Sequence, residues 1–424
     1  MRFVSTKDHA KSYSFKEAVQ FNLPPDGGLF VPDAFDRQYV EDVLLNEDSS
    51  LHEMATYCLQ PFVDEDLSLE ALFKIVKETF TFHFPIRPFE DSSVHLLELF
   101  HGPTAAFKDI GASFMAGCLS AWQEEGEETT ILVATSGDTG GAVAHAFYDK
   151  PGFRVVILYP DGKISPIQEM QIAGFGGNVV ALAVDGNFDD CQRLVKDVFA
   201  NTELRKKIKL ASANSINLAR WIPQSVFYAY AWTYREKFNI PSVLCVPSGN
   251  YGNISSAWLA NIMGCTFDHI VAAHNANDTI PRFLKEKNYT PKPAIETFAN
   301  AMDISDPSNF VRLQYLMDHF PEYSQPKFDA YSVADDDILD TIHEMWHQHH
   351  YLLDPHTATA WHILKKHFDG GICVSTAHPG KFGDVIIKAL GFYPEEWRVE
   401  ISEGPLHKTR ISKDLGNLQR YLLA

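Results

Sequence analysis

The chain has 424 residues, 45% of them hydrophobic, a composition that suits a globular protein of two or three domains. Its 36 Lys and Arg stand against 55 Asp and Glu, and the net charge of −19 argues against binding nucleic acid or an anionic membrane surface. No apolar run reaches the roughly 18 residues that a membrane helix needs. The start, MRFVSTKDHAK, has no apolar signal core, so we expect a cytoplasmic protein.

The first 90 or so residues predict a mostly helical N-terminal unit. Ser14 and Glu17 form a capping-box start, and a Pro-Pro-Asp-Gly-Gly turn follows at 24–28. The remaining pattern is helical and shows no regular strand. The six cysteines of the whole chain are scattered through apolar segments without a C-x-x-C pair, which predicts reduced, buried thiols and no disulfide framework.

Beyond this unit, apolar runs alternate with helical segments, the pattern of a parallel sheet with helices on its faces. The runs are VHLLELF (94–100), ILVATS (131–136), FRVVILY (153–159), NVVALAV (178–184), SVLCVPS (242–248), HIVAAH (269–274) and the start of GGICVSTAHPGKFGD (370–384). Ser165 and Gln168 predict a capped helix that ends at 174–177, and 335–350 predicts another with acids in its first turn. Residues 275–335 are Pro-rich and irregular, and we expect them to decorate the sheet.

Strand-to-helix turns are where open α/β sheets bind ligands. The turn SGNYGN (248–253) predicts a phosphate cradle, because its small residues let backbone N–H groups converge at a helix N-terminus. It has neither the Gly-Lys-Ser/Thr of a Walker loop nor the spacing of a dinucleotide fingerprint. The alternative is a Gly/Asn turn that binds nothing.

Two further turns carry groups that suit anions. SGDTGG (136–141) places the hydroxyls of Ser136 and Thr139 beside exposed amides, which suits a carboxylate, although Ser and Asp are also common helix caps. SANSINLAR (212–220) offers Ser215, Asn217 and Arg220, two neutral donors and a guanidinium that suit phosphate. The alternative for Arg220 is a surface ion pair.

A competing motif is His343-Glu-Met-Trp-His347, which matches the H-E-x-x-H of zinc hydrolases. The G-x-x-H extension is missing, and the next Glu after His347 is the distant Glu395. The sequence therefore favours a solvated or partner-facing helix, with a zinc hydrolase as the alternative.

HGPTAAFKDIG, ATSGDTGGAVAHAF, YPDGKISPIQEMQ, SANSINLARWIPQ, SGNYGNISSA, LLDPHTA and STAHPGKF together resemble threonine synthases, as does FKEAVQFNLPPDGGLFVP near the N-terminus. The likeness covers most of the chain and is greatest to the longer bacterial and fungal branch. It implies the α/β fold of fold-type II pyridoxal-phosphate (PLP) enzymes, with two open, mostly parallel sheet domains and a mostly helical N-terminal domain. The implied limits are 1–92 for the N-terminal domain, 93–120 with 238–424 for the large PLP-binding domain, and 121–237 for the small domain.

The resemblance also implies residue roles. Lys108 is implied as the Schiff-base lysine and general base, and its place behind Gly-Pro-Thr and beside Phe107 suits a desolvated amine of lowered pKa. Thr376 is implied at the pyridine nitrogen, and Asp138 stands near the phenolic oxygen where many relatives carry Asn, so its role is open. The cofactor phosphate is implied on Gly249, Asn250, Tyr251, Gly252 and Asn253. The substrate is implied on Ser136 and Thr139 (carboxylate), Ser215, Asn217 and Arg220 (phosphate), and Lys163 (added positive charge).

The implied reaction converts O-phospho-L-homoserine and water to L-threonine and phosphate by γ-elimination and then β-hydration, with PLP and no metal. One rival is a phospholyase or a serine or threonine dehydratase that yields a keto acid. Another is a relative that binds a ligand or partner without PLP. The implied partner is the small-molecule substrate, and the oligomeric state stays open between monomer and homodimer.

Overall fold

The computed structural model describes residues 1–35, 49–321, 323, 325–400 and 404–423. Its strands form one two-stranded sheet and two larger sheets of six and five strands. In chain order the strands are β1 (Phe3–Ser5), β2 (Phe30–Pro32), β3 (Ile86–Phe89), β4 (Ser92–Glu98), β5 (Thr129–Ala134), β6 (Phe153–Pro160), β7 (Val179–Asp185), β8 (Lys209–Ser212), β9 (Val243–Pro247), β10 (His269–His274), β11 (Lys327–Ser332), β12 (Gly371–Ser375) and β13 (Lys408–Ser412).

Both larger sheets are predominantly parallel. The six-stranded large sheet has the order β11-β10-β9-β12-β4-β3, and β3 alone pairs antiparallel within it. The five-stranded small sheet has the order β13-β7-β6-β5-β8, with every pair parallel. Their inner strands are apolar on both faces because helices cover both sides, as in doubly wound sheets. The α/β sequence pattern therefore predicted the layers of this fold.

Helices surround the two sheets. The α-helices are Phe15–Phe21, Leu51–Val63, Leu69–Thr79, Lys108–Trp122, Asp138–Phe147, Pro166–Ala173, Phe188–Ala200, Thr202–Arg205, Leu218–Trp221, Ser225–Phe238, Gly252–Ile262, Thr279–Glu286, Phe310–His319, Asp335–His349, Pro355–His367, Gly383–Leu390 and Leu415–Leu423. Short 3₁₀ helices span Ile222–Gln224, Asn300–Met302, Pro379–Phe382 and Glu395–Trp397. The capping boxes predicted at Ser14 and Ser165 are confirmed, as is the burial of the six cysteines, which form no disulfide bond.

Three expectations about organisation need correction. The N-terminal unit contains β1 and β2, whose three residues each are too short to show an alternating pattern in the sequence. The irregular region 275–335 contains two α-helices, a 3₁₀ helix and the edge strand β11, whose polar, half-exposed residues hide its strand character. The segment that ends the chain pairs through β13 with the small sheet, although its residues were assigned to the large domain. Only the long-range pairing with β7 reveals this.

The two sheets matter for function because turns at the carboxyl ends of β5, β8, β9 and β12 line one shared cavity. Binding sites are expected at this edge of parallel sheets. No helix among the described residues is both long and apolar enough to cross a membrane.

Candidate active site

The shared cavity has a volume of about 130 Å³ and contains most of the residues that the sequence nominated. Lys108 reaches it from the first turn of the helix Lys108–Trp122. Two backbone hydrogen bonds fix the segment before the lysine: Phe107 N–H donates to Thr376 O at 3.0 Å, and His378 N–H donates to Ala105 O at 3.0 Å. The lysine is thereby held close to Thr376, which lines the same cavity.

Lys108 is largely buried, and burial is the main cause that lowers the pKa of its ammonium. Asp138, whose Oδ2 lies 3.2 Å from Lys108 Nζ, acts in the opposite direction. The amine therefore gives up its proton more readily than a solvated lysine does. A nucleophile or general base requires this property.

Asp138 is the hub of a buried charge cluster. Its Oδ1 lies 2.7 Å from the ammonium of Lys381 and accepts a 2.9 Å hydrogen bond from Gln168 Nε2. Burial alone would raise the pKa of Asp138, but the ammonium groups of Lys381 and Lys108 outweigh it and hold this pKa well below its ordinary value. Asp138 is therefore a carboxylate, and its negative charge is compensated by a lysine that sequence reasoning did not nominate.

The turn after β9 has the properties of an anion cradle. Five backbone N–H groups of this turn donate no hydrogen bond to any described residue. They belong to Gly249, Asn250, Tyr251, Gly252 and Asn253. These amides converge at the start of the helix Gly252–Ile262, where the dipole favours negative charge. Tyr251 has a φ of 63°, and its hydroxyl lies 2.6 Å from His274 Nε2, which anchors the turn.

The turn after β5 is arranged in a similar way. The N–H groups of Gly137 and Gly140 are both satisfied by the hydroxyl of Thr135, each at 2.9 Å. Ser136 and Thr139 instead line the cavity. The backbone N–H of Thr139 has no acceptor in the described part of the chain. Two hydroxyls and a helix N-terminus thus face the cavity, which suits a carboxylate.

Ser215 is prepared to donate a hydrogen bond. Its Oγ accepts from Asn250 Nδ2 at 2.7 Å and from Asn309 Nδ2 at 3.1 Å. Both lone pairs of the hydroxyl are then used, so its proton is available to a ligand in the cavity. Asn309, which the sequence did not single out, thereby orients a predicted ligand residue.

Arg220 is a fully buried guanidinium that lines the same cavity. Its Nη1 donates to Ala213 O, its Nε has no hydrogen-bond partner, and no carboxylate of the described residues forms an ion pair with it. Burial lowers its pKa to about 10, with partial opposition from Asp109. The predicted surface ion pair is thus ruled out. A buried cation that lines the cavity and pairs with no carboxylate of the described residues is the strongest indication of an anionic ligand here.

Two nominated residues lie elsewhere. Asn217 caps the helix Leu218–Trp221, and its Nδ2 donates to Val19 O and Asn22 Oδ1 at 3.0 and 2.7 Å, so it faces the N-terminal unit. Lys163 lines a neighbouring cavity and lies 3.8 Å from Glu296. The sequence expectation of a phosphate contact for Asn217 is not met by its position, because caps and ligands use the same residue types.

We expect Asn217→Ala to lower the free energy of unfolding by about 2–3 kcal/mol, since a helix cap and buried hydrogen bonds are lost together. Urea denaturation would measure this change. Asn187→Ala, which removes an exposed cap that accepts from Asp190 N–H at 2.9 Å, is the matched control and should cost about 1 kcal/mol. A stable Asn217 variant with a large loss in kcat/KM would instead make this residue a substrate ligand.

The H-E-x-x-H motif lies on the helix Asp335–His349, remote from the cavity lining. The imidazoles of His343 and His347 stack with their centroids 4.0 Å apart, and His347 Nδ1 lies 2.8 Å from His343 O. Within the described residues no group of three or more His, Cys, Asp or Glu could hold a metal ion. Nothing in this geometry supports the zinc-hydrolase alternative.

Comparison with known proteins gives consistent results along the whole chain. The family model described as pyridoxal-phosphate dependent enzyme matches residues 87–377, and the one described as threonine synthase N terminus matches residues 2–80. The threonine synthase of Haemophilus influenzae is 40% identical, with 100% of both chains covered. The crystal structure of threonine synthase from Escherichia coli has a TM-score of 0.90 at 35% identity, covering 100% of this chain and 99% of that one. A PLP-bound threonine synthase structure from Brucella melitensis has a TM-score of 0.86 at 31% identity, with 100% and 99% covered.

Proposed function

The chain belongs to the threonine synthase family of PLP-dependent enzymes, and we propose that it converts O-phospho-L-homoserine and water to L-threonine and phosphate. The fold class, the enzyme class and the PLP cofactor predicted from the sequence are confirmed. The observation that carries the choice of substrate is Arg220, a buried guanidinium without a carboxylate partner beside Lys108.

The residues of the cavity fit PLP. Five free backbone amides at 249–253 suit a phosphate group, and the amine of Lys108 suits an aldehyde. The hydroxyl of Thr376 has no partner within the described residues and suits the ring nitrogen. Gly249 leaves room for the turn, because a Cβ there would lie 2.7 Å from Met302 Cα. We assign these residues to the cofactor on this basis.

The remaining groups suit the two ends of the substrate. Ser136 and Thr139 hold the α-carboxylate with hydroxyl donors, while Ser215 and Arg220 hold the phosphate and stabilise its charge as it leaves from Cγ. Lys163 lines the neighbouring cavity, which shares Ser136 with this one, and we assign it only added positive charge there.

When bound, PLP would withdraw electrons from the substrate carbon that bears the amine, which would make the C–H protons on that carbon and on the next one acidic. Lys108 takes these protons and returns them, since its lowered pKa lets it alternate between amine and ammonium. Asp138 accepts a hydrogen bond from the Lys108 ammonium and keeps it in place.

Arg220 and Ser215 also separate this proposal from its closest rival. A serine or threonine dehydratase acts on a substrate without phosphate and has no use for a buried guanidinium at this place. We further propose that the protein acts on its small-molecule substrate without nucleic acid and in the cytoplasm. The net charge of −19 and six cysteines without disulfide bonds support this, and the oligomeric state stays open between monomer and homodimer.

The test is product identification by NMR after incubation with PLP and O-phospho-L-homoserine. L-Threonine with an equal amount of phosphate is expected. L-Homoserine, which lacks only the phosphate, is the matched control and should give no product. A keto acid would move the enzyme to the eliminating lyases and would contradict the proposal.

We expect Gly249→Ala to weaken PLP binding by about 5- to 150-fold. The added Cβ must displace the backbone at Met302, and a shift of this kind costs about 1–3 kcal/mol. Equilibrium titration of the apoprotein with PLP would measure the effect. Gly404→Ala is the control, because its Cβ meets no atom within 4 Å. Unchanged PLP affinity in the Gly249 variant would count against the assigned cradle.

A further inference from the structure

Lys381 is a fully buried lysine that no part of the proposed mechanism uses. It lies on the short helix Pro379–Phe382, which follows β12 of the large sheet. Its Nζ lies 2.7 Å from Oδ1 of Asp138, which follows β5 of the small sheet, and it also donates to Thr104 O at 2.8 Å. The ion pair therefore connects the segments that follow β12 and β5, at the cavity that Asp138 lines.

Lys381 and Lys108 share one carboxylate. Lys381 has both Asp138 Oδ1 and Thr104 O as acceptors. Within the described part of the chain, Lys108 reaches one acceptor, Asp138 Oδ2 at 3.2 Å, and its ammonium lies 4.8 Å from the centroid of the Phe107 ring. One negative charge cannot compensate two ammonium groups in a buried site, so a proton tends to leave. The less well held ammonium, that of Lys108, is the one that loses it.

The other charged or titratable groups around the cluster give the Lys108 ammonium no second counter-charge. Arg220 lines the same cavity and disfavours a second cation at Lys108. Asp109 is tied to Thr104 N–H at 2.9 Å, and burial raises its pKa, which weakens it as a counter-charge. His356 also lines the cavity, but its Nδ1 lies 2.8 Å from Asp354, which occupies that side of the ring.

We propose that Lys381 is a positioning residue that holds Asp138 by one oxygen and thereby keeps the Lys108 amine neutral and able to capture PLP. The inference rests on the assignment of Lys108 in the proposed function. In the capture step the Lys108 nitrogen attacks the aldehyde carbon of PLP. A C=N bond replaces the C=O bond, and the oxygen leaves as water with the two amine protons.

The test is the pH dependence of PLP capture by the full-length apoprotein, followed by the visible absorbance change. Lys381→Gln keeps donors for Asp138 and Thr104 but removes the charge. The pH at which capture is half-maximal should rise by about one unit in this variant. A rise of one unit means that, below the midpoint, the neutral fraction of the Lys108 amine is about ten times smaller. Lys381→Arg keeps the charge and should retain the midpoint of the unmodified protein. Lys206→Gln removes the same charge from an exposed position and should also leave the midpoint unchanged.

Removal of the negative charge of Asp138 provides a second experiment. Asp138→Asn removes the anion that favours the ammonium, so its midpoint should fall below that of the unmodified protein. A Lys381→Gln protein with native circular dichroism and an unshifted or lowered midpoint would overturn the proposal. If that variant does not fold, Lys381→Arg decides: a midpoint as in the unmodified protein supports it, and a raised one refutes it. Borohydride reduction and peptide mass analysis test the attachment at Lys108 separately, so failure of that assignment is distinguishable.

Discussion

Lys108→Ala is expected to lower the rate of L-threonine formation by about 10⁴-fold or more. The substitution removes both the amine that captures PLP and the group that moves protons at the substrate carbons, and a positioned acid or base alone contributes about 10²–10⁴-fold. The NMR assay with O-phospho-L-homoserine would measure this loss. Lys206→Ala, at an exposed ion pair with Glu203, is the matched control and should keep full activity.

The same variant should remain folded, for a reason specific to this site. Removal of Lys108 leaves Asp138 paired with Lys381 at 2.7 Å and with Gln168 at 2.9 Å, so no buried charge loses its last partner. Burial also lowers the pKa of Lys108, which means that its ammonium destabilises the folded state at neutral pH. We therefore expect an unchanged or raised Tm. An inactive protein with a strongly lowered Tm would indicate a structural lysine, and a protein with a tenth of the activity would contradict the catalytic role.

Much of this site could be predicted from the sequence because each part is local. The turn 248–253 contains small residues, backbone amides and a helix N-terminus within six consecutive residues. Its ability to bind an anion can therefore be predicted from this short segment alone. Ser136 and Thr139 in one turn and Ser215 and Arg220 in another are visible for the same reason. The parallel-sheet pattern then predicts that such turns meet at one edge, and the cavity contains all of them.

The parts that could not be predicted depend on contacts between distant segments. Lys381 lies in the segment STAHPGKF, but no local pattern of this segment shows that the ammonium is buried against Asp138. The edge strand β13 joins the small sheet through pairing with β7, which composition does not encode. For Asn217 the residue type suits both a phosphate ligand and a helix cap, so the sequence does not distinguish them. The hydrogen bond that its side chain donates to Val19 O, in the N-terminal unit, favours the cap.

Arg220→Met should lower kcat/KM for O-phospho-L-homoserine by about 10²–10³-fold. Loss of one partner from a buried, charge-assisted contact costs about 2–5 kcal/mol, and the loss falls on the substrate phosphate. Arg220→Lys keeps the charge but not the planar fork, so we expect an intermediate value. Steady-state kinetics would measure both. A change in kcat/KM of less than threefold in the Met variant would refute the assignment of Arg220 to the phosphate.

The substitution should at the same time stabilise the protein without ligand. Burial lowers the pKa of Arg220 to about 10, below its unfolded value, so at every pH below about 10 the charged group opposes folding. Methionine fills similar space without this penalty, and the Tm of the variant in phosphate-free buffer should therefore be higher. An active site that keeps an uncompensated cation gives up stability for binding, as functional sites commonly do.

Inorganic phosphate distinguishes the two effects. In the unmodified protein, phosphate should raise the Tm with concentration, because it binds the folded state at Arg220 and Ser215. In Arg220→Met the Tm should start higher and respond little to phosphate. A variant with a lowered Tm and an unchanged response would mean that Arg220 holds the 213–220 segment through Ala213 O and contributes nothing to the anion. Higher stability with lower phosphate affinity in one variant is the result that a structural arginine cannot give.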